Sequence, residues 1–289
     1  MKIRYNVNTC DHGASELMVH FTKACTNKCA FCIDKVNNGI ISRKTEVNKI
    51  IETIDLYKDF ASMITISGGE PLLFIEELKR LVDYITDNTN LKISINTSIP
   101  ATCGLFENTM YDIFDKCDYI FISLQHYDEK IADKIRGSKS VFDRQELYRR
   151  IVNKYDDKVT GCINIIKPYF ETKEEIQKVV LYYNVMGFKN IKICELFDAD
   201  NLYVDIPKVL GIKMNHPFAS GCKTELKNAQ KIFPHFNGHL YIKRSCFYRT
   251  KHQKANIWDL IKISTRWLFA KKYFFGVIHE DGTIAPYWI

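Results

Sequence analysis

No stretch of the 289 residues offers the roughly 18 uninterrupted apolar side chains of a membrane span. The opening MKIRYNVNTC lacks the apolar core of a secretory signal, so export is not expected. With 13 Gly and 7 Pro, the chain is too poor in both for a collagen-like or low-complexity protein. A basic block is missing as well. The net charge of +7 is spread along the chain, without the clustered footprint that nucleic acid requires, and nucleic acid is not an expected partner. What remains is an ordinary globular composition, 46% hydrophobic and 26% charged, together with ten cysteines. Without an export signal, those cysteines point to a reducing, cytoplasmic setting and to thiols, metal ligands or small core residues, not to a disulfide framework.

Short apolar runs alternate with longer amphipathic ones from residue 16 to about 196. The spacing predicts strands at 16–22, 62–67, 91–96, 119–124, 159–165 and 190–196, with helical stretches such as TEVNKIIETIDLY, FIEELKRLVDYIT and KEEIQKVVLYYNVM between them. Such alternation implies parallel strands joined by helical crossovers. One parity of every strand is apolar, as in Ile64 and Ile66, Ile93 and Ile95, or Ile163 and Ile165. The other carries His20, Thr22, Thr65, Ser67, Ser94, Asn96, Ser123, Gln125, Cys162, Asn164, Lys192 and Cys194. A sheet covered by helices on both faces reads as continuously apolar. The polar parity therefore fits an open, partial barrel whose lumen holds polar ligands.

Cys25, Cys29 and Cys32 stand in KACTNKCAFCIDK, directly after the first strand. Three thiolates this close can converge on one metal centre, while a closed zinc site would need a fourth ligand, for which His20 and His12 are nearest. Three unconnected core cysteines are the plainer alternative. The CxxxCxxC spacing, with Phe31 before the last cysteine, resembles the signature of radical S-adenosylmethionine (radical SAM) enzymes. Ser67-Gly68-Gly69-Glu70-Pro71, after the second strand, resembles that family's GGE motif.

The resemblance implies a partial (βα)6 barrel and a 4Fe-4S cluster on Cys25, Cys29 and Cys32. One iron would be open to S-adenosylmethionine, whose cleavage yields a 5′-deoxyadenosyl radical. It further implies cofactor contacts from Ser67, Gly68, Gly69 and Glu70, the last accepting from the methionyl ammonium. Asn96, Ser123 and Asn164 would serve the carboxylate and ribose, Arg136 the carboxylate, and Phe31 the adenine. A reducing partner such as flavodoxin or ferredoxin is implied too.

The resemblance spans residues 16 to about 196, so the chain reads as a core over 1–200 and a docked α+β extension over 201–289. In the extension, a hairpin is expected at Asn237-Gly238, a helix in IWDLIKISTRWLF and a second hairpin at Asp281-Gly282. RWLFAKKYFFGVI interleaves bases and aromatics and reads as a helix end running into a core strand. An auxiliary cluster would have to draw on Cys222 and Cys246, joined by Cys194 and with Cys10 as a distant fourth; free thiols are the default. Lys192, Cys162 and Cys194 are the candidate substrate-side catalytic residues. The leading substrate is small and polar, nucleotide-like ones included; a ribosomally made peptide is the alternative. An iron-sulfur redox sensor on the same scaffold is the non-enzyme alternative, disfavoured because a GGE motif has no purpose without the cofactor.

Overall fold

The structure is a computed structural model and describes residues 16–32, 45–139, 143–197, 200–212, 223–246 and 275–285. Six strands appear where the alternation predicts them: β1 (Glu16–Thr22), β2 (Met63–Gly68), β3 (Lys92–Thr97), β4 (Tyr119–Leu124), β5 (Val159–Ile165) and β6 (Asn190–Phe197). Between them run helices α1 (Val47–Tyr57), α2 (Ile75–Asn88), α3 (Glu107–Lys116), α4 (Glu129–Arg136), α5 (Arg144–Tyr155) and α6 (Lys173–Met186). Their ends follow local chemistry. Asp128 and Asp143 accept backbone N–H bonds at the starts of α4 and α5, and a Thr172/Glu175 capping box opens α6. Gly137 closes α4 in the left-handed conformation.

Beyond residue 200 come a short helix α7 (Ile206–Leu210) and strands β7 (Lys223–Glu225), β8 (His239–Cys246), β9 (Phe275–Ile278) and β10 (Ile284–Ala285). All ten strands form one sheet in the order β10-β9-β1-β2-β3-β4-β5-β6-β8-β7. From β9 through β1 to β6 and on to β8 every neighbouring pair is parallel. The core is a partial barrel, and the segment after residue 200 adds strands to both of its edges.

The apolar parity lies under the helices. Ile64, Ile66, Ile95, Ile120, Ile122, Ile163, Ile165, Ile191 and Ile193 are fully buried in one cluster with Ile50 and Ile54 of α1, Leu78 and Leu81 of α2, and Val179 and Val180 of α6. Each such side chain is worth about 1.5–3 kcal/mol of burial. This is the register that the strand pattern requires.

Two expectations for the extension meet different outcomes. The Asp281-Gly282 turn does join the antiparallel pair β9 and β10. Asn237-Gly238 is not a hairpin turn: β8 pairs with β7, which precedes it by thirteen intervening residues, and with β6. The reason is steric. Gly238, at φ +143°, lets the chain pass so close to β6 that a Cβ would fall 2.1 Å from the Lys189 carbonyl oxygen, to which His239 N–H donates at 2.7 Å. The helix expected at 257–269, most of RWLFAKKYFFGVI, Cys10, His12, Cys222 and the side chain of Cys246 lie outside the described residues.

Candidate functional site

Parallel strands bring all their C-terminal ends to one rim, so the loops after β1, β2 and β3 are neighbours. The cysteine loop leaves β1 through an irregular register, where His20 faces Ser67 but Thr22 faces Gly68. The Ser-Gly-Gly-Glu segment then pairs with it through the backbone. Gly69 N–H donates to the Thr22 carbonyl at 2.6 Å and Glu70 N–H to the Ala24 carbonyl at 2.8 Å. Glycine is required by this approach: a Cβ at Gly68 would sit 2.6 Å from the Thr22 oxygen, and one at Gly69 2.2 Å from the Ala24 oxygen. The two glycines thus join the two motifs to each other.

Glu70 is fully buried. One carboxylate oxygen accepts from Thr97 Oγ at 2.6 Å and Leu72 N–H at 3.2 Å. The other accepts from Ser98 N–H at 2.7 Å and Ser98 Oγ at 2.6 Å. Burial pushes the carboxyl above its usual range, and the bonds from Ser98, Thr97 and Leu72 pull against that shift.

The chain of contacts continues from Ser98 into the cysteine loop. Asn27 donates through Nδ2 to Ser98 Oγ at 2.9 Å, and Ser138 Oγ donates to Asn27 Oδ1 at 2.7 Å. Beside it, Lys28 N–H donates to the Arg136 carbonyl at 2.6 Å, and a Cβ at Gly137 would fall 2.7 Å from the Lys28 oxygen. The end of β3 is held from the far side by Arg144, whose Nη1 donates to the carbonyls of Ser98, at 2.9 Å, and Ile99. Ile99 sits at φ +54°, a strained value for a β-branched residue. The rim is therefore a braced structure, not a set of independent loops.

Asn27, Ser98, Ser138 and Arg144 escape sequence reading because each acts on partners at least 28 residues away. Asn27 is the most informative to remove. Its replacement by Ala deletes two side-chain bonds at a buried position, and the apo protein is expected to lose about 1–3 kcal/mol in a urea titration. Unchanged stability would mean that Asn27 does not brace the loop.

Burial pushes the Cys25 thiol up to about 12; the Asn27 N–H opposes the shift, while Glu70, Cys29 and Cys32 add to it. Three partly exposed thiols thus face one another and a carboxyl. A bound cationic centre would displace the protons of such thiols to solvent, leaving thiolates that are soft donors for iron. Among the described residues, only His20, His279 and Glu280 bring three ligating atoms within 4.8 Å of one another. Donor set and bracing both fit a 4Fe-4S cluster.

The other predicted residues divide into two groups. Ser67, Asn96, Ser123, Cys162 and Asn164 occupy the lumen-side parity and stay partly exposed. Ser123, Cys162 and Lys192 are register neighbours across β4, β5 and β6, as are Asn164 and Cys194 across β5 and β6. Lys192 is buried, with Nζ 4.3 Å from the centre of the Phe121 ring. Phe31 packs at the edge of the apolar cluster. Arg136 pairs through Nη2 with Glu129 and Asp133 of its own helix, its Nε is buried with no hydrogen-bond partner, and its carbonyl accepts from Lys28 N–H of the cysteine loop.

A partial parallel barrel carrying a three-thiol loop after β1 and a Gly-Gly-Glu turn after β2 is the scaffold of radical SAM enzymes. Residues 19–183 match the Radical SAM superfamily, and the chain belongs to it. That superfamily binds a 4Fe-4S cluster and S-adenosylmethionine. Among curated proteins, the pyruvate formate-lyase-activating enzyme of Staphylococcus epidermidis is 28% identical over 131 residues, 40% of this chain and 49% of that one. An uncharacterised protein of Methanocaldococcus jannaschii is 32% identical over 90 residues, 30% of this chain and 31% of its own. The chain thus spans about half or less of these relatives. Among solved structures, Streptococcus suis SuiB bound to S-adenosylmethionine superposes with a TM-score of 0.57 at 18% identity, over 94% of this chain and 60% of SuiB. Among the described residues, no helix is long and apolar enough to cross a membrane.

Proposed function

We propose that Cys25, Cys29 and Cys32 hold a 4Fe-4S cluster, that S-adenosylmethionine lies beside Ser67 to Glu70, and that a small polar substrate occupies the lumen. The hydrogen-bonded union of the cysteine loop with Gly69, Glu70 and Ser98 is the observation that carries this reading. The cluster and S-adenosylmethionine, when bound, supply reductive carbon-sulfur cleavage and a 5′-deoxyadenosyl radical that takes a hydrogen atom from the substrate.

The chain's own residues position the reactants. Ser67, Asn96, Ser123 and Asn164 offer donors and acceptors to the polar parts of the cofactor from one face of the sheet. Phe31 offers an apolar surface beside the loop. Lys192 presents a cation to the substrate over Phe121, which suits an anionic or strongly polar group. Cys162 and Cys194 remain the candidate hydrogen-atom donors. Arg136 contributes its carbonyl to the cysteine loop, while Nη2 of its guanidinium is engaged by Glu129 and Asp133. The electron comes from a reducing protein of the flavodoxin or ferredoxin type. A peptide substrate is the second reading, supported by the similarity to SuiB over nearly the whole chain, SuiB being known bound to its precursor peptide SuiA.

Glu70 already accepts four hydrogen bonds, as many as a carboxylate accommodates. It reaches the methionyl ammonium only by exchanging one of them, so its role is largely to position Thr97 and Ser98. In Glu70→Gln, an amide N–H2 faces donors that need an acceptor. The expected result is retained iron with S-adenosylmethionine binding weakened by about 1.5–3 kcal/mol and a parallel loss of stability. Titration of the cluster's spectroscopic signal and denaturant unfolding measure the two. Unchanged affinity would remove Glu70 from the cofactor site. For the reaction itself, reconstituted protein with a strong reductant should form 5′-deoxyadenosine, and screens of metabolites and peptides should identify which class accelerates it. No 5′-deoxyadenosine under any condition would sink the proposal.

A further inference from the structure

The pairing of β9 with β1 builds a second group of ligating side chains that the cysteine loop does not use. Val19 lies opposite Ile278, so His20 and His279 emerge side by side, with Glu280 next in the chain. His20 and Glu280 are both almost fully buried. His20 Nδ1 lies 3.3 Å from one Glu280 carboxylate oxygen, and the His20 and His279 ring centres are 6.2 Å apart. One ligating atom from each of the three falls within 4.8 Å of the other two. Nε2 of His279 is shielded from solvent and meets no hydrogen-bond partner. A buried, unmatched imidazole nitrogen on the residue before a buried glutamate is a position that a bound ion would satisfy.

The backbone holds the group rigidly. The Glu280 carbonyl accepts from Glu46 N–H at 2.8 Å, His279 N–H donates to the Thr283 carbonyl at 2.8 Å, and Gly282 N–H returns to the His279 carbonyl at 2.9 Å. Thr53 Oγ donates to the Gly282 carbonyl at 2.5 Å, fixing the turn against α1. The ionisation states suit ligation as well. Burial, with His20 nearby, holds the His279 imidazole below its usual range. Burial pushes the Glu280 carboxyl up, but its own backbone N–H and the Lys23 ammonium outweigh that and keep it below the usual carboxylate range.

We propose that His20, His279 and Glu280 form a site for one divalent first-row transition ion, separate from the cysteine loop. Two imidazoles and a carboxylate are the donor set that zinc and ferrous iron favour, and three protein ligands leave a coordination position open. The ion would pin the C-terminal hairpin to β1, five residues before Cys25 and beside Ser67. One group competes with it. Lys23 Nζ lies 3.2 Å from the other Glu280 oxygen, with its side chain 40% exposed, so the ammonium can swing into water when a cation of higher charge arrives. Lys23 thereby separates the proposal from a simple ion-pair lock among His20, Glu280 and Lys23, in which it would be a stabilising partner.

The test uses full-length protein carrying its cluster, dialysed anaerobically against Zn2+, with zinc and iron counted by elemental analysis. About one equivalent of zinc per chain is expected with the iron content unchanged. His279→Ala and Glu280→Gln should each weaken zinc binding at least about tenfold, since even outer-shell partners of a metal are worth that much. Lys23→Ala should tighten it about two- to fivefold, the scale of a partly exposed ion pair. Zinc should also raise the thermal midpoint of the wild type and not that of His279→Ala, a readout that needs no catalysis. Zinc binding that is absent, that survives in His279→Ala, or that weakens in Lys23→Ala would overturn the site. None of these results depends on S-adenosylmethionine cleavage.

Discussion

Replacing Cys25, Cys29 and Cys32 together by Ala is expected to abolish the anaerobically reconstituted 4Fe-4S cluster and all S-adenosylmethionine cleavage, while the sheet remains folded. Cluster ligation requires thiolates, and no other three cysteines of the sequence lie within eight residues of one another. The fold, by contrast, rests on the isoleucine parity and the helices over it, a cluster of which none of the three cysteines is a member. Iron and sulfide content measures the first effect and far-UV circular dichroism the second. Removing three partly exposed thiols from a loop held by Asn27, Lys28 and the Gly69 backbone leaves those braces in place. Full iron stoichiometry in the triple variant would overturn the ligand assignment.

Gly69→Ala should have the second largest effect, through backbone geometry alone. The added methyl would lie 2.2 Å from the Ala24 carbonyl oxygen and 2.7 Å from its carbon. Backbone atoms cannot rotate away as a side chain does, so the turn after β2 must separate from the cysteine loop. Separation stretches the bonds of Gly69 N–H to Thr22 and Glu70 N–H to Ala24. A stability loss of about 1–3 kcal/mol or more is expected, with weakened S-adenosylmethionine binding. Gly104→Ala is the matched control, because a Cβ there meets nothing within 4 Å. Equal behaviour of the two variants in denaturant and cofactor titrations would show that the close approach is not needed.

Strand parity shows how far periodicity reaches. The apolar positions of β2 to β6 were legible because a half-buried strand must alternate, and a one-residue slip would send each isoleucine to the wrong face. Lys192 illustrates the limit: its parity placed it toward the lumen, but the Phe121 ring beneath its ammonium depends on β4 and β6 lying two strands apart. Arg136 illustrates a different one. The motif DKIRG suggested a guanidinium for the cofactor, whereas Glu129 and Asp133, within one or two turns of the same helix, compete for it at close range. Asn237-Gly238 carried a turn signal that the chain uses instead for a close passage past Lys189.

The sequence by itself determined the motif chemistry and the local elements: three cysteines at fixed spacing, the Gly-Gly-Glu turn one βα unit later, and six strands with one polar face. These are properties of neighbours in the chain, where residue type and period suffice. Only the tertiary structure decided that Gly69 meets Ala24, that Asn27 reaches Ser98, that β8 and β9 extend opposite edges of one sheet, and that His20 finds Glu280 across 260 positions. Each of those contacts depends on cross-strand register and loop approach, which are set by how the whole core packs and leave no period in the sequence.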